Sequence, residues 1–331
     1  MSRIMRPFLC LMCCAALALP AVAQAHNYTV MLMLYRGVTD AERGFMEYLK
    51  GRLPVDFLVR DAGGDESKIA DFVTEAKRIR PDLIYTFGTT VTADVVGEVG
   101  KIDPARNITD IPVVFNIVAD PVGANLTKVM QGSNRNLTGV SHLVPMPAQL
   151  ALMEHFKRVT RLGAVFNPQE ANSTLAIQDL RNASKQFGFE LVAEGLDVAK
   201  GEKPTPQAIV EATQKVIAAK VDFIYLPSDS SLIQQATLIV APATTAGIPV
   251  ISATEAPIRS NGALVGLVSN YYNAGTFAAY KAEQILLKKQ NANDIPIETL
   301  QRFSLLINMG AARSLQLYPP LNELKFAELL D

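Results

Sequence analysis

One long-range echo limits what this chain can fold into. Pro81-Asp82-Leu83-Ile84-Tyr85, a helical segment and Ile111-Pro112-Val113-Val114 are followed later by Val221-Asp222-Phe223-Ile224-Tyr225, a helical segment and Ile248-Pro249-Val250-Ile251. The second copy trails the first by 137 to 140 residues. A period of about 20 to 50 residues would indicate a solenoid. A period this long is the size of a whole open α/β domain, so two similar lobes are expected. The length of 331 residues agrees, because single cores stop growing beyond roughly 250 to 300 residues.

Within each copy, short β-branched runs alternate with segments of helical period. Strands are expected at Val30–Leu34, Val55–Val59, Leu83–Phe87, Val113–Ile117, Gly163–Phe166, Phe189–Ala193, Phe223–Leu226 and Ala263–Leu267. Thr39 with Glu42 three residues on forms a capping box ahead of Phe45 and Leu49. Ser67 is expected to cap a helix carrying Ile69, Phe72, Val73, Ala76 and Ile79 on one face, and Thr205 with Pro206 to open another. Regular strand–helix alternation implies an α/β fold with parallel sheets covered on both faces.

The N-terminus reads as an export signal. Arg3 and Arg6 precede an unbroken apolar run, Phe8–Leu19, then Pro20 and the small residues Ala21, Ala23 and Ala25. Twelve helical residues span only about 18 Å, short of a hydrocarbon core of about 30 Å, so removal rather than permanent insertion is expected. Cleavage fits after Ala25 or after Ala23. Cys10, Cys13 and Cys14 all fall in this leader, so the mature chain is expected to lack disulfides and thiolate metal sites. Met12 and Cys13 stand where a lipid-anchoring signal needs a small residue, which argues for a soluble product. The balance of 31 basic against 32 acidic side chains, without a basic run, excludes nucleic acid as the expected partner.

Parallel sheets bind ligands beyond the carboxyl ends of their strands. The loops at those ends are polar: Gly88-Thr89-Thr90 and Ala119-Asp120-Pro121 in the first copy, Ser228-Asp229-Ser230 and Thr254-Glu255-Ala256-Pro257 in the second. Facing each other, they would form a cleft between lobes. Catalytic signatures such as H-E-x-x-H, G-x-S-x-G, G-x-G-x-x-G and the P-loop do not occur, and the only histidines are His26, His142 and His155. His142 reads as a hinge or surface histidine and His155 as a structural helix residue.

The run VFNIVADPVGANLTKVM at Val114–Met130, with Asn136-Leu137-Thr138-Gly139-Val140-Ser141 after it and INMGAARSLQLYPP at Ile307–Pro320, resembles the bacterial ABC-transporter substrate-binding proteins of the group that includes tryptophan and tyrosine binders. The resemblance spans essentially the whole mature chain. It implies a type I periplasmic-binding-protein fold, with two Rossmann-like lobes joined by hinge crossings and closing on a small ligand. The expected division is a leader over 1–25, a first lobe over 26–143 plus 268–296, and a second over 144–267 plus 297–331. It further implies a periplasmic monomer without cofactor or metal that hands its solute to an inner-membrane ABC permease and its ATPase. A sensory protein presenting its ligand to a membrane receptor, or less readily a small-substrate hydrolase, would use the same cleft.

Two features depart from that group. The loop Phe87-Gly88-Thr89-Thr90-Val91 is rich in hydroxyls where many relatives carry alanine and proline, and Arg36-Gly37 follows the first strand. The planar fork of Arg36 suits a ligand carboxylate, although a solvated arginine at the cleft mouth is equally compatible. Thr89 and Thr90, where a helix begins, are either carboxylate donors or its N-cap. Asp120, Asp229 and Glu255 are the expected partners of a ligand ammonium, with Asp120 also read as a turn opener. Asn167, Ser173, Asn270 and Tyr271 complete the expected lining, with Tyr271 or Tyr272 available to stack on a flat ligand part.

Overall fold

The computed structural model describes residues 27–199 and 202–331. The expected leader and His26 lie outside the described residues. In chain order the first lobe holds β1 (Tyr28–Leu34), α1 (Asp40–Lys50), β2 (Val55–Asp61), α2 (Ile69–Ile79), β3 (Leu83–Phe87), α3 (Thr89–Val96), β4 (Val113–Val118) and β5 (Leu137–Ser141). The second holds α4 (Met146–Phe156), β6 (Arg161–Phe166), α5 (Ala171–Phe187), β7 (Glu190–Gly195), α6 (Pro206–Ala218), β8 (Phe223–Leu226), α7 (Ser230–Gln234), α8 (Thr237–Thr245), β9 (Val250–Ser252), α9 (Glu255–Asn261) and β10 (Val265–Val268). The chain then returns to the first lobe through α10 (Tyr271–Leu286) and β11 (Glu298–Thr299). It ends in the second with β12 (Ser304–Asn308), α11 (Met309–Leu315) and β13 (Ala327–Leu330).

The two sheets run β11-β5-β4-β3-β1-β2 and β13-β12-β10-β9-β8-β6-β7. Each separates two apolar clusters, as a sheet wrapped on both faces must. Leu32, Leu34, Tyr85 and Val114 face Phe45, Ala278 and Ile285, while Met31, Met33, Ile84 and Phe115 face Val73, Ala76 and Val95. The second lobe repeats the arrangement, with Phe166, Tyr225 and Ile251 against Ile177 and Leu180, and Val165, Ile224 and Val250 against Ile209 and Val216.

The first sheet is parallel throughout, but β12 runs antiparallel to β10. Topology explains it. The chain enters β12 from the cleft side after leaving the first lobe, with no helical crossover to carry it back to the far edge. The crossing also falls later than expected. Glu298 and Thr299 pair with Val140 and Ser141 in the first sheet, and Ile297 is buried in the first lobe's core. Residues 297–299 therefore belong with the first lobe rather than the second. Lys281 of α10, 1% exposed, fixes this segment by donating to Pro296 O and Glu298 Oε2, both at 2.6 Å.

The Thr39–Glu42 capping box forms, and the Thr205 hydroxyl accepts from Ala208 N at 3.2 Å. Ser67 does not cap. A 3-10 turn over Glu66–Lys68 precedes α2, and Asp65 caps it by accepting from Ser67 N and Oγ.

Candidate functional site

The carboxyl ends of the two sheets face each other across the three crossings, and the lobes touch over this edge. Lys203 Nζ donates to Gly63 O at 3.2 Å, and His142 Nε2 lies 3.0 Å from Ser228 Oγ. Ser269 Oγ, on the second crossing, donates to His142 O on the first at 2.6 Å. Among the described residues, at least two cavities lie between the lobes. The larger, about 390 Å³, is lined by Arg36, Thr39, Asp40 and Arg43 from the first lobe, Gln234, Thr254, Glu255 and Arg259 from the second, and Tyr271 at the crossing. The smaller, about 90 Å³, lies among Tyr35, Glu66, Thr90, Asn167, Glu170, Lys203 and Ser231. Wider surface grooves of about 520 and 750 Å³ are lined by the first lobe alone, so a ligand there would not bias one lobe position over another.

Arg36 leaves β1 just before Gly37, whose φ of 83° turns the chain sharply toward Asp61. Its guanidinium lies over the Phe87 ring, 5.4 Å from the centroid. Phe87 and His142 both stand edge-on to Tyr271, with ring centroids 6.2 Å apart in each pair. Four buried polar atoms around this aromatic group make no well-formed hydrogen bond among the described residues: Arg36 Nε, Tyr271 Oη beside the Arg36 guanidinium, Thr254 Oγ1, and His142 Nδ1 near the Val118 backbone. Native structures rarely leave such atoms unpaired, and each costs roughly 1–3 kcal/mol without a partner. Burial and the Arg36 charge push the His142 imidazole down to about 4, so it is neutral at physiological pH. Burial also lifts the Tyr271 hydroxyl to about 12, keeping it a donor.

The expected ammonium partners are otherwise engaged. Asp229, fully buried, is the N-cap of α7: it accepts from Leu232 N and Asn167 N, both at 2.9 Å, and from Ser173 Oγ. Burial, then the neighbouring Glu170 charge, raises its pKa. Asp120 closes a turn through Val122 N and Gly123 N. Glu255 lines the larger cavity but accepts from Tyr271 N at 2.7 Å and from Arg259 Nε at 2.9 Å. Thr89 Oγ1 accepts from Ala119 N, whereas Thr90 faces the smaller cavity at the start of α3, whose N-cap Gly88 supplies no side chain. Asn167 lines the same cavity and donates to Ser231 Oγ at 3.2 Å. Asn270 caps α10 through Asn273 N. Tyr271 meets the cavity, and Tyr272 is exposed and bonded to Glu47.

Tyr35, His142 and Glu170 are cleft residues beyond the expected set, and Thr254 joins them from one of the expected loops. Tyr35 carried the signal of adjacency to Arg36. Glu170 carried none: its carboxylate takes Ser230 N, Ser231 N, Ser231 Oγ and Asn172 Nδ2, which occupies the start of α7.

At the rim, the Glu66 and Asp94 carboxyls face each other. Burial first, then the Glu66 charge, lifts Asp94 to about 7. An acid raised in the folded state stabilises below its unfolded pKa of about 3.9, and that contribution is lost as pH rises toward 7. Asp94→Asn, neutral at every pH, should therefore raise stability by about 2 kcal/mol at pH 8 and leave it unchanged at pH 4. Thermal denaturation at the two pH values checks this; an equal effect at both would contradict it.

Among the described residues, no cluster of three or more His, Cys, Asp or Glu is arranged to hold a metal ion, and no helix is long and apolar enough to cross a membrane. Comparison with known proteins agrees with the architecture. A tyrosine-binding protein of Clostridioides difficile strain R20291 is 25% identical over 300 residues, spanning 86% of this chain and 79% of that protein. A conserved domain protein from Vibrio cholerae superposes with a TM-score of 0.81 at 24% identity, covering 92% of this chain and 100% of the other. An ABC domain from Streptococcus pneumoniae in complex with L-Trp gives 0.80 at 21% identity, with the same coverages. The fold is that of the type I periplasmic binding proteins, which includes a periplasmic ribose ABC transporter protein from Conexibacter woesei at a TM-score of 0.56. The model of the ABC transporter substrate binding proteins matches residues 21–328, nearly the whole chain, and this chain belongs to that family.

Proposed function

We propose that the protein is the exported solute-binding component of an ABC importer. It captures a small amino-acid-like or carboxylate-bearing ligand between its lobes and delivers it to an inner-membrane permease, with no chemical conversion of the ligand. The observation that carries this reading is the set of buried donors without a well-formed hydrogen bond among the described residues, from the first lobe (Arg36), the second lobe (Thr254) and the crossing (Tyr271), gathered at a cavity of about 390 Å³. That volume suits a single small molecule. Groups contributed from both sides are satisfied together only when a ligand bridges them, and this is what lets a ligand favour the closed arrangement. The names of the tyrosine-binding and L-Trp-bound relatives support the amino-acid-like class. Ligand-induced closure, read as a fall in the radius of gyration in solution, is the experiment that tests it.

A further inference from the structure

Arg36, Arg43 and Arg259 line the larger cavity with the carboxylates Asp40 and Glu255, and Glu328, outside the lining, takes the two terminal nitrogens of Arg259. Arg43 Nε donates to Asp40 Oδ1 at 2.9 Å, and Arg259 Nε to Glu255 Oε2 at 2.9 Å, so both carboxylates are already answered by arginine. Glu42, buried behind the wall, spends its oxygens on Thr39 N, Thr39 Oγ1 and the Tyr85 hydroxyl. Arg36 alone of the three lining arginines has no anionic partner among the described residues, and its Nε is buried and unpaired. Beside it stand the Tyr271 hydroxyl, next to the Arg36 guanidinium, and the Thr254 hydroxyl, neither with a well-formed hydrogen bond among the described residues, on residues only 8% and 1% exposed.

An α-amino acid brings two charged ends, and each needs an answer when water is excluded. The carboxylate has one here: a planar guanidinium fork flanked by two hydroxyl donors. The ammonium does not. The carboxylates deeper in the cleft are consumed by the protein itself, Asp229 by three donors and Glu170 by four. An ammonium placed there would compete with helix N-terminal N–H groups for oxygens they already hold.

We infer that the cleft selects a small carboxylate lacking an α-ammonium group, its carboxylate gripped by Arg36 with the hydroxyls of Tyr271 and Thr254. This rests on the solute-binding reading above and narrows the ligand class within it. The apolar remainder of such a ligand lies against Val38, Ile233 and Tyr271, and charge selection comes from Arg36, which holds no ion pair among the described residues.

Titration calorimetry on the mature chain with matched triples tests the inference. Each triple holds one carbon skeleton as amino acid, deaminated acid and decarboxylated amine: L-tyrosine, 3-(4-hydroxyphenyl)propanoate and tyramine; L-leucine, 4-methylpentanoate and 3-methylbutylamine; L-alanine, propanoate and ethylamine. In the triple whose skeleton fits, the acid should bind at least about tenfold tighter than its amino acid, and the amine should give no measurable heat. Arg36→Gln should weaken the acid by at least about tenfold. The ligand-free Tm of that variant should be unchanged or higher, a result that a merely structural arginine would not give. An amino acid binding as tightly as its acid would overturn this inference and leave the solute-binding reading intact. Failure of every acid to bind, or wild-type affinity in Arg36→Gln, would also overturn it. If in addition the protein purifies without any solute, the solute-binding reading falls too.

Discussion

Gly275→Val should cost about 4 kcal/mol of folding stability, an effect at the exceptional end of single substitutions. Helix α10 crosses α1 at Gly275 and Gly44, and the backbones meet there. A Cβ on Gly275 would lie 1.9 Å from Ala41 O, 2.8 Å from Ala41 C and 3.0 Å from Phe45 N. On Gly44 it would lie 2.2 Å from Tyr272 O. These are backbone atoms, so no rotamer change relieves the clash and the helices must separate. Separation uncovers Phe45, Ala278 and Ile285, which belong to the first lobe's core. Ordinary overpacking costs about 1–3 kcal/mol because side chains can give way; here they cannot. Gly51→Ala is the control. Gly51 has φ −74°, and an added Cβ would find atoms no nearer than 3.6 Å, so a change of less than about 1 kcal/mol is expected. Urea denaturation of the two variants decides it, and comparable losses would remove the close-contact account. Because α10 also carries Tyr271 to the cavity, any residual folded Gly275→Val should bind its solute weakly.

Asp229→Ala is the second large effect, about 3 kcal/mol in the ligand-free protein. The substitution strands Leu232 N, Asn167 N and Ser173 Oγ, all on buried residues, and an unsatisfied buried donor costs roughly 1–3 kcal/mol. It also frees the start of α7, where Glu170 remains as the only carboxylate among the described residues. The same residue read from sequence as an ammonium partner carries the opposite expectation, since a solvated cleft residue leaves ligand-free stability nearly unchanged when removed. Thermal denaturation without ligand separates the two roles. A shift of less than about 1 °C would return Asp229 to the ligand-contact set.

The contrast over Asp229 shows where sequence reasoning stops. The lobed α/β architecture was legible because buried parallel strands read as continuous apolar runs, and Leu83–Phe87 and Phe223–Leu226 stand where those runs predict. Leu137–Ser141 is an interior strand whose Thr138, Gly139 and Ser141 hide its burial, and Ala327–Leu330 is a half-exposed edge without a clear period. The reversed direction of β12 follows from the path of the third crossing, which no local pattern encodes. At the site, placement beyond the strand ends was predictable, and Arg36, Thr90, Asn167, Glu255 and Tyr271 do line the interlobe cavities. Which acids are already saturated was not predictable. Asp229 and Glu170 are separated by 59 residues in sequence, and only the packed lobe shows that both are spent on one helix start. His142, read as a hinge or surface histidine, does stand on the first crossing, but it is 1% exposed rather than at the surface because the crossings pack on each other.

The central claim is that a small solute held between the lobes closes them. Small-angle X-ray scattering tests it most directly on the mature protein in two states. In one, the solute that copurifies, identified by native mass spectrometry, is stripped by unfolding and refolding; in the other it is restored at saturation. The account predicts a smaller radius of gyration on restoration than in the stripped state. Identical scattering in the two states would contradict it.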